Sequence, residues 1–282
     1  MTNLNNGGSG LWRGLALSVA LVALPLMGAL AQRDSAGEGV NVGKASSLSH
    51  LVPAAHVENA AGQQYHELLA QAAAKRALAQ PDHPQLQRIR AVAQRLIPQA
   101  PPWNPRVANW NWEVNLIGSN QVNAFCMPGG KIVFYSGILE QLKLTDDEVA
   151  MVMGHEMAHA LREHARERLA KGALTSVGAN VLVQVLGMGQ VGQALTGYGA
   201  QLLSLKFSRS DESEADLVGM EIAARAGYDP RAAITLWKKM GAAGKSSPPQ
   251  WISTHPSGTT RIAELQKNLP RVMPLYERAR PH

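Results

Sequence analysis

The segment His155-Glu156-Met157-Ala158-His159 constrains this chain more than any other feature of its sequence. Small or apolar residues flank it, as is typical of a helix inside a protein. Residues four apart in a helix lie about 40° apart around the axis, so both imidazoles share one face and can hold one zinc ion. Glu156 is close enough to take a proton from a water that the metal activates. Without a metal, such a buried helix would carry costly unpaired polar groups.

A catalytic zinc ion needs a third protein ligand and one position left open for water. Candidates lie between Ser208 and Asp216, a polar stretch that predicts a second helix. Glu212 and Asp216 are four residues apart, so one carboxylate can bind the metal while the other accepts a hydrogen bond from a ligand histidine. We predict Glu212 as the metal ligand and Asp216 as the acceptor. Glu214 points about 160° away from Glu212 and is expected to be solvated or paired.

The first 31 residues have the layout of a secretory signal peptide. A polar start with Arg13 precedes the apolar run from Leu15 to Leu30, and Ala29-Leu30-Ala31 resembles a small-residue cleavage site. We expect cleavage after Ala31 and a periplasmic location, with an uncleaved membrane anchor as the alternative. Residues 32–54 are rich in Gly, Ser, Ala and Asn, and predict a flexible linker outside the core.

The remaining residues, 55–282, are expected to form one α+β domain that is mostly helical. Two helices, at about 57–79 and 83–97, are expected to pack around it as an N-terminal helical collar. Three β-prone stretches then predict a small three-stranded meander sheet. They are Trp110 to Ile117, Gln121 to Met127 and Lys131 to Tyr135. The later helices are expected at about 146–171 and 209–226, from Pro230, and near Gly258.

The remaining features concern what else the chain binds. Residues 173–205 are apolar but interrupted by Gly, Asn and Gln, and predict a helical hairpin or lid that could contact a membrane surface. The formal charge of +6 is spread along the chain with acidic residues interspersed, so we expect no nucleic-acid partner. Cys126 is the only cysteine, which excludes an intramolecular disulfide, and it is expected to be a small apolar side chain.

Several short motifs together resemble the gluzincin metallopeptidase family that includes HtpX, the CAAX-prenyl endopeptidases and the BepA-like assembly proteases. In chain order they are Asn123-Ala124-Phe125 with Pro128-Gly129-Gly130 and Gly137, the HExxH helix, Glu212 to Asp216 with Gly219, and His255-Pro256 with Arg261. The resemblance covers about residues 57–270. Because several clear membrane spans are missing from the sequence pattern, the periplasmic BepA-like branch is the most similar.

The resemblance implies a gluzincin fold with the active site between two helices and an edge strand, Asn123 to Phe125, beside the metal. It also implies zinc-dependent endopeptidase activity, with one Zn²⁺ per chain and unfolded or misassembled envelope proteins as substrates. A peptide can add to an exposed strand and be held in extended form. The alternative is a chaperone-like assembly factor with latent protease activity. A scaffold without activity would be expected to lose Glu156 or a ligand, and the sequence keeps them all.

Two other histidines lie near these segments. His164 would lie about 180° around a continuous helix from His155, so we expect it outside the metal site. His255 lies in a loop suited to projecting a side chain. We expect it either to occupy the open zinc position at rest, which keeps the peptidase latent, or to bind the oxyanion once substrate enters. Arg261 is expected to face the developing negative charge.

Overall fold

The computed structural model describes residues 37–177, 202, 205–243, 250–255 and 259–280. Its α-helices are α1 (Ala54–Ala74), α2 (Pro84–Leu96), α3 (Ser136–Gln141), α4 (Asp146–Leu161), α5 (His164–Val177), α6 (Arg209–Arg225), α7 (Ala232–Ala243), α8 (Gln250–Thr254) and α9 (Thr259–Ala279). Its strands are β1 (Glu113–Ile117), β2 (Ala124–Met127) and β3 (Lys131–Tyr135). Short 3-10 helices occur at Ser47–Leu51, Ile97–Gln99 and Pro105–Asn109. The predicted α+β class, mostly helical with a small three-stranded sheet, is confirmed.

The strand order differs from the predicted meander. β3 lies in the centre, parallel to β1 and antiparallel to β2. A tight turn joins β2 to β3, because Gly129 and Gly130 have φ values of 85° and 80°, where residues with a side chain are strained. The longer segment between β1 and β2 instead carries the chain past β3, and Val122 within it accepts a hydrogen bond from the backbone of Trp251. β2 is therefore an edge strand of the described sheet.

Helices α4 and α6 pack against each other at two glycines. A Cβ atom on Gly154 would lie 2.7 Å from the carbonyl oxygen of Gly219, and one on Gly219 would lie 2.5 Å from the backbone nitrogen of His155. Both helices begin at a capping box, in which the side chains of the N-cap and third helical residues bond to each other's backbone amides. The close approach brings His155 against the first turns of α6.

The helix predicted over residues 146–171 is broken. α4 ends at Leu161, and α5 begins at His164 after a turn in which Glu163 has a φ of 58°. A left-handed conformation costs an ordinary residue about 1–2 kcal/mol. Tertiary contacts offset this cost, because the Glu163 carboxylate binds Arg166 and accepts a hydrogen bond from Ser49 Oγ at 3.2 Å. The break rotates His164 away from the position that a continuous helix would give it.

The described part of the predicted linker, residues 37–54, packs on the domain. Val40 is buried, and its backbone N–H donates to Glu221 of α6 at 2.6 Å. Gly39 exchanges backbone and side-chain hydrogen bonds with Arg271 of α9. Residues 47–51 form a 3-10 helix that packs against α5. The flexible-linker prediction is therefore wrong for this segment: composition indicated solvation, whereas backbone groups of Gly39, Val40 and Val52 bind residues of the folded domain.

Two predictions fall largely on residues outside the described part of the chain. The signal peptide, residues 1–31, lies there entirely, and so does most of the hairpin predicted over residues 173–205. Within the described ranges, no helix is both long enough and apolar enough to cross a bilayer. The signal peptide and the membrane-surface contact remain predictions.

Candidate active site

Four buried side chains meet between α4 and α6. His155 and His159 come from α4, Glu212 comes from the first turn of α6, and His255 immediately follows α8. One ligand atom from each lies within 4.8 Å of all the others. Because the two histidines are one helical turn apart, α4 presents both rings to the same point, as predicted. The structure thus brings the three predicted ligands together with His255. These four side chains are called the donor cluster.

The donor atoms have separations that suit a tetrahedral ion. Nε2 of His155 lies 3.1 Å from Nε2 of His159 and 3.2 Å from Nδ1 of His255. Oε1 of Glu212 lies 3.0 Å from Nδ1 of His255 and 3.5 Å from Nε2 of His159. Ligands about 2.0–2.1 Å from a tetrahedral zinc ion are about 3.3 Å apart. The set of three imidazoles and one carboxylate therefore fits zinc in both chemistry and spacing.

Glu212 also carries a buried oxygen that the protein leaves poorly satisfied. Its Oε2 lies 2.7 Å from Nη1 of Arg261, but no donor among the described residues is aligned with it for a hydrogen bond. The same oxygen lies 3.6 Å from Nε2 of His155. A carboxylate with no solvent exposure needs compensation for lost hydration. A cation at the centre of the donor cluster would supply it.

Asp216 holds His155 in the orientation that a metal ligand needs. Its Oδ1 lies 3.1 Å from Nδ1 of His155, so Nε2 is left to face the donor cluster. Burial raises the pKa of Asp216, but the charge of Arg261 and the hydrogen bonds from His155 and Arg261 lower it by more, so the net pKa lies below its usual range. The side chain is therefore a carboxylate that accepts the Nδ1 hydrogen. Asp216 lies where the sequence predicted it.

Arg261 contacts two of the predicted site residues. Its guanidinium binds the Asp216 carboxylate at 2.6 and 2.7 Å, contacts Glu212, and lies 3.7 Å over the ring of Trp237. It does not line the substrate-facing cleft described below. Its expected contact with negative charge on a substrate stays a prediction. The guanidinium contacts the buried carboxylates of Asp216 and Glu212, and its single positive charge offsets part of their combined negative charge.

Glu156 is held by a residue that sequence reasoning missed. Trp251 Nε1 donates to Oε1 of Glu156 at 2.5 Å, and both side chains are buried. The Trp251 ring also stacks on His255, with 4.8 Å between ring centroids and 24° between planes. Trp251 thus connects α8, which His255 immediately follows, with the predicted general base. Its only sequence signal is a tryptophan shortly before His255, which is too weak to assign a role.

His159 lies between an aromatic ring and another histidine. Phe207 stacks on its imidazole with 4.0 Å between centroids. Nδ1 of His164 lies 2.9 Å from Nδ1 of His159, because α4 ends before His164. His164 thus contacts a predicted ligand but, as expected, is not among the four donor residues. Burial lowers the pKa of His159, and electrostatic repulsion by the neighbouring histidines and Arg261 lowers it further. The imidazole is therefore neutral, as a metal ligand must be.

His255 experiences opposite influences. Burial lowers its pKa, but the carboxylates of Glu156 and Glu212 together raise it above the usual value. Nε2 of His255 lies 3.6 Å from Oε1 of Glu156, while Nδ1 faces Glu212. A proton and a metal ion therefore compete for this ring.

A cleft opens on the donor cluster along the edge of the sheet. Asn123, Ala124 and Phe125 form one wall, and Glu156, His159 and His255 lie in it. Cys126 also lines the cleft, but burial raises the pKa of its thiol, so it stays protonated. The edge strand β2 and Glu156 therefore line the same cleft.

Comparison with known proteins identifies the family. The model of peptidase family M48 matches residues 83–269, a range that contains every site residue described above. The chain belongs to peptidase family M48. This confirms the family recognised from its motifs.

Relatives of this M48 chain include proteins named metalloendopeptidases. It is 41% identical over 151 residues to the mitochondrial metalloendopeptidase OMA1 of Arabidopsis thaliana, which is 54% of this chain and 30% of that protein. It is 32% identical over 212 residues to OMA1 of Saccharomyces cerevisiae, 71% of this chain and 60% of that protein. The beta-barrel assembly-enhancing protease of Escherichia coli K12 is 32% identical over 170 residues, 57% of this chain and 35% of that protein. The chain thus spans only part of the length of these relatives.

The predicted periplasmic location is contradicted by these matches. The OMA1 proteins of Arabidopsis, fission yeast, baker's yeast, cattle, zebrafish and human are all named as mitochondrial proteins. The prediction depended on the apolar run within residues 1–31. Different membrane-targeting routes share this pattern, so the run by itself could not identify a compartment.

Proposed function

We propose that this chain is a zinc-dependent endopeptidase with one Zn²⁺ held by His155, His159 and Glu212. The observation that carries the proposal is the position of Glu156. It lies beside the donor cluster, lines the cleft along β2, and is fixed by the hydrogen bond from Trp251. A buried carboxylate held at the entrance to a metal site suits general base catalysis.

The chain's own residues account for the proton transfers. When bound, zinc supplies Lewis acidity that lowers the pKa of water and polarises the scissile carbonyl. The Glu156 carboxylate takes the water proton and then gives it to the leaving amine. Trp251 keeps the carboxylate aimed during both transfers, because its N–H occupies one lone pair of Oε1. Asp216 keeps Nε2 of His155 directed at the metal position.

The edge strand defines the form of the substrate. A segment that pairs with β2 must be extended and free of its own tertiary contacts. We therefore propose unfolded or misassembled proteins as substrates. The name of one bacterial relative, beta-barrel assembly-enhancing protease, supports a role in protein assembly.

Cleavage of folded and unfolded forms of one protein tests this proposal. Casein and a thermally destabilised variant of a small globular protein should be cleaved, whereas the stable parent of that variant should resist. The reason is that only an unfolded segment can enter beside β2. Equal rates on the stable parent and the destabilised variant would contradict the proposed substrate form.

We further propose that His255 holds the site latent. Its Nδ1 already completes the tetrahedral donor set, so the open position that a catalytic zinc needs is taken. For catalysis the His255 imidazole must leave this position, while the hydrogen bond from Trp251 to Glu156 stays in place.

The variant His255→Ala should raise basal casein cleavage by about tenfold, if the open form is about 10% populated at rest. Zinc should remain bound through the other three ligands. Steady-state cleavage at saturating casein, with zinc content measured on the same sample, makes the comparison. A loss of about a hundredfold in turnover at full zinc content would instead assign His255 to oxyanion stabilisation.

A further inference from the structure

A contact between two histidines points to a residue that positions the metal ligand His159. Nδ1 of His164 and Nδ1 of His159 are 2.9 Å apart, and both side chains are buried. The ring planes are 73° apart, so the contact is an edge contact through nitrogen atoms and not a stack. Two ring nitrogens this close share one hydrogen, which one donates and the other accepts.

The direction of this hydrogen bond follows from the donor cluster. Nε2 of His159 faces Nε2 of His155 and Oε1 of Glu212, so it must be free of hydrogen to bind a metal. The hydrogen of neutral His159 then lies on Nδ1, and Nδ1 of His164 accepts it. His164 carries its own hydrogen on Nε2, which faces Oε2 of Glu214 at 3.6 Å. The contacts therefore assign one tautomer to each ring, with hydrogen on Nδ1 of His159 and on Nε2 of His164.

The acceptor ring is itself anchored. The Glu214 carboxylate that faces His164 also binds Nε of Arg162, and Nη2 of Arg162 donates to the carbonyl oxygen of Gly43 at 3.0 Å. Arg162 and His164 flank Glu163, the residue with the left-handed backbone. Local strain at this turn is what brings His164 back onto α4.

We propose that His164 is a positioning residue that sets the tautomer and orientation of His159 for zinc. It corresponds in role to Asp216, which holds the other helix ligand, His155. The inference rests on the metal site of the proposed function but not on peptidase activity. Loss of such an outer partner typically costs 10–100-fold in metal affinity or activity.

The variants His164→Leu and His164→Asn separate positioning from packing. Leucine removes the acceptor, whereas the Asn side-chain oxygen occupies nearly the position of Nδ1 and can still accept. His56→Leu, on the exposed surface of α1, is the matched control. Zinc dissociation constants are measured by competition with a chromophoric chelator, and Co²⁺-substituted protein gives an absorption spectrum of the ligand field. Thermal unfolding of the zinc-free proteins reports folding.

We expect His164→Leu to weaken zinc binding about 10–100-fold and to alter the Co²⁺ spectrum. His164→Asn should recover most of the affinity, and His56→Leu should match the wild type. A folded Leu variant with wild-type affinity and spectrum would overturn the inference, as would an Asn variant as weak as the Leu variant. Wild-type protein that binds zinc but cleaves no protein would reject the proposed function and leave this test intact.

Discussion

Replacing Glu156 with Gln should remove peptidase activity and leave zinc bound. Glutamine has the shape of glutamate but cannot take a proton from water at neutral pH, so the expected loss is about 10²–10⁴-fold in kcat. The donor cluster keeps His155, His159 and Glu212, and zinc content should stay at one per chain. Casein turnover and metal analysis on the same preparation measure both.

Glu140→Gln is the matched control, because it makes the same chemical change on the exposed surface of α3. It should leave both turnover and zinc content at the wild-type value. Near-native cleavage by the Glu156→Gln variant would contradict the proton-transfer role. Loss of zinc from that variant would mean that Glu156 is itself a ligand.

Replacing Glu212 with Ala should release zinc. The substitution removes the one anionic donor of the cluster and leaves Arg261 beside the site without the carboxylate that it contacts at 2.7 Å. The loss of affinity should exceed the about 10–100-fold cost of losing an outer partner. Peptidase activity should disappear with the metal and return, at most weakly, at high zinc concentration.

Glu214→Ala is the comparison that tests this assignment. Glu214 lies on the same helix two residues away, but its carboxylate faces Arg162 and His164 outside the donor cluster. Its removal should weaken zinc binding by no more than about tenfold. If the Glu214 variant lost zinc and the Glu212 variant kept it, the ligand assignment would be wrong by two residues.

Helical spacing accounts for the parts of the site that sequence could predict. His155 and His159 converge because they are four residues apart in a helix, and for the same reason Glu212 faces the other donors while Asp216 faces His155. The α+β class could be predicted because β-prone stretches and helical periods are separate along the chain.

Features that depend on tertiary contacts could not be predicted in this way. His164 reaches His159 only because α4 breaks at Glu163, a position with neither Gly nor Pro to signal a turn. Trp251 reaches Glu156 through its packing against the segment before β2. Arg261 of α9 contacts the carboxylates of Glu212 and Asp216 because α9 packs against α6, which carries both of them. Contacts of this kind cannot be inferred from the spacing of the residues along the sequence.

Zinc content and casein cleavage, followed together through removal and return of the metal, test the central claim most directly. The purified protein should contain one zinc ion per chain and cleave casein. A chelator should remove both zinc and activity, and restoring one equivalent of zinc should restore cleavage, while the Glu156→Gln variant regains the metal but no activity. Cleavage that persists in fully zinc-free protein, or a wild-type chain that binds no zinc, would contradict the account.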